Sequence, residues 1–361
     1  MSIGTEIRKL NTNLINSYSA CSNKGATMPD NQNFDNLAMC IDSISSGGGD
    51  PISPRTIVDG EYQLPESTFD FILPSTVTSL GKDVMRGWFY QNQYIDKVDF
   101  SSLTTIDKST CLHETFYNST VTSADFSGLL TLGSGVTSFY RTFANCRNLT
   151  SCDFSSLTSI NGPGFDSTFL NCSSLQSIDF SSLTTMSVTG HTNSLFNGCT
   201  SLTSASFDSL ITVSSPSAFY GLFNGCTSLS SVSFNNLTTI GLDNANPNSR
   251  HFYQAFNNCS NLPSISFPKL EKIYCNGNDS QGSFANNNKI QKLYFPKLDT
   301  ITYGTGASSS NQTACKNIFA SCDELTEIHF GAANQAAIEA SPGYSTLWGR
   351  GAGNATVYFD L

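Results

Sequence analysis

Four aspartates stand one residue ahead of a phenylalanine at near-equal intervals: Asp99, Asp125, Asp153 and Asp179. Carboxylates gathered in one column can bind a divalent cation through oxygen, attract a cationic partner, or supply the acid and base of glycoside hydrolysis. On strands about 4.8 Å apart, neighbouring charges repel by about 0.9 kcal/mol even in bulk water, so something must soften the column. Hydrogen bonds from the flanking serines are the favoured reading, with a bound cation as a weaker candidate and no other metal site expected. Cys146, Cys172, Cys199, Cys226, Cys259 and Cys322 also recur, each three residues after a phenylalanine and without any CxxC pair. That pattern reads as buried thiols, because zinc needs clustered ligands and a disulfide framework belongs to short secreted chains.

Catalytic motifs are broken. His113 and Glu114 begin an HE pair, but Tyr117 stands where the second zinc histidine is required. The glycine phrases at Gly133 to Gly135 and Gly349 to Gly353 lack the strand, helix and lysine context of a phosphate loop. NxS/T triplets at Asn148 and Asn236 are by-products of a repeated phrase. No catalytic residue and no cofactor are assigned. The candidate ligand-binding residues are aromatic and basic instead: Tyr140, Tyr220 and Tyr253 share one position, three before a phenylalanine, with Arg141, His191, Arg250 and Tyr303 in neighbouring variable stretches. Tyr and Arg combine large contact area with hydrogen bonding. The plainer alternative is that these tyrosines only cover the turns beneath them.

The element that must position all of these is a repeat. FANCRNLTSCDFSSLTSI, FLNCSSLQSIDFSSLTTM, FNGCTSLTSASFDSLITV, FNGCTSLSSVSFNNLTTI and FNNCSNLPSISFPKLEKI return along the chain. Their leading phenylalanines are Phe89, Phe116, Phe143, Phe169, Phe196, Phe223, Phe256, Phe284 and Phe319, spaced by 26 to 28 residues except for two longer steps of 33 and 35. A fixed period of this size is the mark of a solenoid. In LQSIDF, Leu175, Ile178 and Phe180 face one way while Ser177 and Asp179 alternate outward, as a half-buried strand requires. A second short strand is expected from Leu183 to Met186. A helical or 3₁₀ turn is expected before both, since Phe165 and Phe169 lie four apart. The outward strand positions are mostly serine and carry few rings, so that face is expected to be inert, whereas the inter-unit loops vary in length and content.

These phrases resemble the BspA type of leucine-rich repeat, over roughly Phe69 to Phe330, with FILPSTVTSLG (Phe71 to Gly81) resembling an irregular first unit. The resemblance implies a right-handed parallel stack used for protein or glycan recognition, and it implies no enzyme. The expected fold class is therefore a repeat solenoid of BspA-like leucine-rich repeats, mainly short parallel β-strands with short helical turns, preceded by a small N-terminal helical hairpin.

The hairpin is read at 1–45, where Ile7, Leu10 and Leu14 lie on one apolar stripe and Phe34, Leu37 and Ile41 on another. Two short stripes bury too little to stand alone, so they are expected to dock on a partner or on a sister chain. SSGGGDPISP supplies a hinge at 46–54, and the solenoid fills 55–361. From about 329 to 361 a cap is expected, with a helix near Asn334 to Ala340, Trp348 as a lid and a strand near Ala355 to Leu361. KGATMPDNQNFDNLAMCIDSI followed by the glycine hinge resembles the N-terminal segment of tail-associated proteins of phages and prophages, chiefly of Gram-positive hosts, and the closing stretch resembles the end of such proteins.

Composition limits the rest. Only 13% of residues are charged and the net charge is −10, so no basic field exists to gather nucleic acid. No run of 18 apolar residues is present to insert in a membrane, and Glu6, Arg8 and Lys9 stand where a signal peptide would be apolar. The leading expectation is a non-enzymatic phage virion protein, of the tail, fibre or decoration kind, assembled in the host cytoplasm. Its hairpin would meet other virion proteins, its solenoid would recognise a host-surface protein or glycan, and self-association is left open. A bacterial cell-surface adhesin of the same repeat class is the alternative. A glycan depolymerase stands third; it would need an acidic pair in a cleft.

Overall fold

The computed structural model describes residues 69–361 apart from 74, 81–84, 107–109, 134–136, 162–163, 188–193, 215–218, 242–252, 275–283, 285–288, 303–321, 323, 342–343 and 345–354. The expected hairpin with Ile7, Leu10, Leu14, Phe34, Leu37 and Ile41, the hinge, Phe319 and the Trp348 lid lie outside the described residues.

Each unit supplies two short strands because apolar residues alternate with Ser and Thr on either side of a tight turn. The first strands build a front face: β1 (Phe69–Ile72), β2 (Ile95–Asp99), β4 (Ser123–Asp125), β6 (Ser151–Asp153), β8 (Ser177–Asp179), β10 (Ser204–Ser206) and β12 (Ser231–Ser233) form a seven-stranded sheet. The same side continues as a four-stranded sheet of β14 (Ser264–Ser266), β16 (Lys292–Phe295), β18 (Glu327–Phe330) and β19 (Thr356–Phe359). The second strands build the back: β3 (Thr105–Ile106), β5 (Thr131–Leu132), β7 (Ser159–Asn161), β9 (Thr185–Ser187), β11 (Thr212–Ser214), β13 (Thr239–Ile240), β15 (Lys272–Tyr274) and β17 (Thr300–Thr302). The strand pairs are parallel throughout, with the units in register on one another, as in Ser177↔Ser204 and Asp179↔Ser206, except for a shift between Phe69 and Phe71 where β1 pairs with β2. This is the expected parallel solenoid with very little helix.

Front and back strands are joined by a Phe-x-x-Leu turn. Leu183 donates its N–H to the Phe180 carbonyl at 3.0 Å, and Leu103, Leu157 and Leu210 close the same turn at 2.9 to 3.0 Å. Between the sheets runs one continuous core in which two columns of phenylalanine stack face to face. The leading rings from Phe89 to Phe284 succeed one another at centroid distances of 5.2 to 5.7 Å. The strand-end rings from Phe100 to Phe359 do so at 4.8 to 5.9 Å. The two columns meet edge to face, for instance Phe126 with Phe143 at 6.2 Å, an arrangement that suits the ring quadrupole. Burying one such ring stabilises the fold by about 1.5–3 kcal/mol.

The third side differs from expectation in its backbone. The segment around each leading phenylalanine closes i→i−3 bonds, such as Ala144 N–H to the Arg141 carbonyl at 3.2 Å, yet it does not propagate as a helix. Residues two before and two after the phenylalanine have positive φ: Glu114 and Asn118, Arg141 and Asn145, Ser167 and Asn171, Gln254 and Asn258. A left-handed residue at every fourth position breaks the helix and turns alternate N–H groups toward the next unit. Phe116, Phe143 and Phe169 donate in this way to the carbonyls of Thr142, Thr168 and Leu195 at 2.9 to 3.0 Å. Phe165 and Phe169 are both buried, but through stacked turns and not one helix face. Gly198 takes φ +77°, a conformation that glycine adopts without steric cost, and a Cβ there would have to displace the Asn171 side-chain oxygen.

At the far end a 3₁₀ turn (Ala332–Asn334) and a short helix, α1 (Gln335–Glu339), appear where a helix was expected, and β19 falls within the expected closing strand. Ile338 is buried, and Asn334 Nδ2 donates to the Leu298 carbonyl at 3.2 Å, which fixes this cap beside β17, the last back strand.

Candidate recognition surfaces

The aspartate column exists. Asp99, Asp125, Asp153 and Asp179 occupy one outward row in direct register. Each side-chain Oδ1 accepts the backbone N–H of the serine two residues on, Ser101, Ser127, Ser155 and Ser181, at 2.7 to 2.8 Å. The contact to each flanking serine is made through its amide, in an Asx turn that starts the Phe-x-x-Leu corner. Among the described residues no group of three or more His, Cys, Asp or Glu side chains is arranged to hold a metal ion.

The cysteine row is buried and reduced. Every thiol of that row donates to the leading phenylalanine carbonyl of the preceding unit: Cys146 to Phe116 at 2.8 Å, Cys172 to Phe143 at 3.0 Å, Cys199 to Phe169 and Cys226 to Phe196 at 3.1 Å, Cys259 to Phe223 and Cys322 to Phe284 at 3.2 Å. Burial pushes the Cys146 thiol up to about 12, against hydrogen bonds from Ser119 and Asn118 that work the other way, and raises the thiols of Cys172, Cys199, Cys226 and Cys259 as well. Thr115, Thr142 and Thr168 serve a parallel row, each hydroxyl donating to a carbonyl of the preceding unit at 2.7 to 2.8 Å. Both rows hold backbone in place and offer nothing to a ligand.

On the turn side the expected tyrosine position forms two separate stacked pairs. Tyr220 lies on Tyr253 at 5.0 Å, and Tyr140 on His113 at 4.7 Å with the Arg141 guanidinium 5.0 Å from the Tyr140 ring. Arg141 also faces Glu114 at 3.9 Å. A further pair, Tyr90 on Tyr117 at 5.0 Å, sits one residue after the leading phenylalanine. These rings are half-buried or exposed. His191, Arg250 and Tyr303 lie outside the described residues.

The expectation of a ring-poor front face is corrected at its far end. The outward row that begins with the aspartates runs through Ser206, Ser233 and Ser266 and finishes in Tyr294, His329 and Tyr358, in register and stacked at 5.0 and 4.8 Å. His329 Nδ1 meets Asp360 Oδ1 and its Nε2 meets Glu327 Oε2, both at 2.9 Å, and Lys292 Nζ reaches Glu327 Oε2 at 2.9 Å. Burial of the ring, with the side chain 12% exposed, works against its charged form, but the two carboxylates outweigh it and raise the His329 pKa. The signal was present in KLYF, EIHF and TVYF, where the residue before the last phenylalanine is aromatic in three successive units.

The decisive comparison is with the repeat itself. The model of the BspA-type leucine-rich repeat region matches residues 56–167, 82–222, 140–246 and 252–341, in six copies. The chain belongs to the BspA-type leucine-rich repeat family. Among curated proteins none matches it. Similar solved structures include a leucine-rich repeat protein from Eubacterium ventriosum, 16% identical over 66% of this BspA-type chain and 80% of that one, with a TM-score of 0.23. A structure of a TLR13–ssRNA13 complex is 12% identical over 80% of this chain and 53% of that one, TM-score 0.21. One of the Drosophila Toll–Spatzle complex is 12% identical over 81% and 43%, TM-score 0.16. At these scores the family model alone carries the assignment of this BspA-type chain.

Proposed function

We propose that this chain is a non-enzymatic recognition protein whose solenoid binds a protein or glycan on a bacterial surface and is carried there as a tail, fibre or decoration component of a phage virion. The observation that supports binding over chemistry is what the repeat does with its reactive groups. The row thiols are buried on carbonyls, and the four row aspartates each accept a turn amide on an open sheet face, which is no cleft for an acid and base. What the turn side exposes is aromatic and guanidinium surface: Tyr140 with Arg141, and Tyr220 with Tyr253. The virion placement rests on the resemblance of KGATMPDNQNFDNLAMCIDSI, with the stripes of Ile7, Leu10, Leu14, Phe34, Leu37 and Ile41 as the docking element.

Binding of the full chain to a panel of Gram-positive cells and to their purified wall glycans tests the first part. A Tyr140→Ala, Tyr220→Ala, Tyr253→Ala variant is expected to bind about tenfold or more weakly, while Ser204→Asn, Ser231→Asn, Ser264→Asn binds normally. The reverse order would move recognition to the front face, and shortening of the glycans would make the protein a depolymerase. Mass spectrometry of purified particles tests the second part; recovery from the bacterial envelope and not from particles would favour the adhesin.

A further inference from the structure

The position two residues before the leading phenylalanine has left-handed backbone in successive units, with φ of +66° at Gly87, +53° at Glu114, +50° at Arg141, +54° at Ser167, +57° at Gly221 and +52° at Gln254. Glycine adopts this conformation without steric cost, and the backbone asks for no charge there. Glu114 and Arg141 nevertheless bring opposite charges to it in adjacent units. They are the only charged residues that the position carries in the units led by Phe89 to Phe319.

These two side chains do not form a tight pair. Arg141 Nη1 stays 3.9 Å from Glu114 Oε1, beyond hydrogen-bond length, and Glu114 Oε2 lies 3.8 Å from His113 Nδ1. The guanidinium is held instead by the Tyr140 ring, with Cζ 5.0 Å from the ring centroid, and that ring is itself stacked on His113. Among the described residues the Arg141 side chain donates no hydrogen bond, its buried Nε included. It is 42% exposed, so a fork of five donors is oriented and still available. Arg86, one unit before His113 at the same repeat position, is exposed as well and adds positive charge to this edge of a chain whose net charge is −10.

A guanidinium fork matches a carboxylate or a phosphate group. We propose, on the recognition role argued above, that Arg141 on its Tyr140 platform binds an oxyanion of an acidic surface glycan, and that Glu114 is the carboxylate which this oxyanion displaces. At hydrogen-bonding distance the incoming group receives from the guanidinium what Glu114, at 3.9 Å, does not. Glu114 keeps the guanidinium oriented while no ligand is bound, and its own charge opposes the approach of any anion. The carboxylate of an acidic sugar and the phosphodiester of a polyol-phosphate chain share this chemistry.

Affinity of the full chain for oligogalacturonate against its methyl ester, and for poly(glycerol phosphate) against neutral dextran, tests it. Binding is expected for an anionic probe, is lost with its neutral counterpart, and weakens as salt rises. The anionic probe that binds more tightly identifies the source of the oxyanion. Arg141→Gln is expected to weaken binding about tenfold or more, and Glu114→Gln to strengthen it about two- to fivefold. Glutamine already occupies this left-handed position as Gln254, so both variants should keep the wild-type melting temperature, and a gain in affinity cannot come from a failure to fold. Lys269→Gln, at an exposed lysine bonded to Asn236, removes the same charge elsewhere and should change nothing. Weaker binding by Glu114→Gln, an Arg141→Gln no weaker than Lys269→Gln, or a chain indifferent to both anionic probes would overturn the proposal. Cell binding that is lost in the Tyr140→Ala, Tyr220→Ala, Tyr253→Ala variant while Arg141→Gln binds normally leaves the recognition role standing without this ligand; a chain that binds neither cells nor probes loses both.

Discussion

The repeated cysteine is explained by one hydrogen bond. Its carbonyl partner belongs to the leading phenylalanine of the preceding unit, a residue whose own N–H already serves the following unit. A thiol is small enough for the column, apolar enough to be buried, and still able to donate. Burial raises the thiol pKa, so little thiolate forms near neutral pH. Cys199 and Cys226 are accordingly expected to resist a thiol reagent in the native protein and to react at once after denaturation. Fast native labelling of either would mean that the column opens or that its side chains point elsewhere. The residue type was legible in the sequence as a buried thiol. Its acceptor was not, because a carbonyl about thirty positions away carries no side-chain signature.

At the scale of the element, β19 is held to β18 by more than its ladder. His329 stands on β18 between two carboxylates, Glu327 on its own strand and Asp360 just past β19, with the rings of Tyr294 and Tyr358 on its two faces and Lys292 beyond Glu327. Its folded pKa is raised above the usual value of 6.5, so the proton stabilises the folded state. That contribution is full below the unfolded pKa and is lost as pH rises through the folded one. The melting temperature is therefore expected to fall as pH rises from just below 6.5 through the folded pKa, and His329→Gln, which hydrogen-bonds without titrating, should flatten this dependence. An unchanged pH profile in the variant would remove His329 from the account. The turn segments teach the opposite lesson about legibility. Spacing of Phe165 and Phe169 suggested a helix, while the Asn or Gly that recurs two residues after the leading phenylalanine, at Asn118, Asn145, Asn171, Gly198, Gly225 and Asn258, was the true sign of left-handed backbone.

For the whole molecule, stability is a sum over units and their interfaces. Among the described residues the strand-end phenylalanine column runs from Phe100 to Phe359 in β19, and the leading column from Phe89 to Phe284. We therefore propose that the solenoid folds alone, and a chain of residues 51–361 is expected to unfold cooperatively with a melting temperature close to that of the full chain. Loss of the transition would make the N-terminal segment part of the core.

The period, the inward Leu, Ile and Phe, the outward Ser and Asp, and hence the family and the parallel stack, were determined by the sequence alone, because each is a one-dimensional pattern that a unit must repeat to bury its face on the next. The partners across units were decided only in three dimensions. Ser181 N–H on Asp179, Cys199 on the Phe169 carbonyl, and Tyr294, His329 and Tyr358 gathered into one stack depend on register, and register is set when whole strands align.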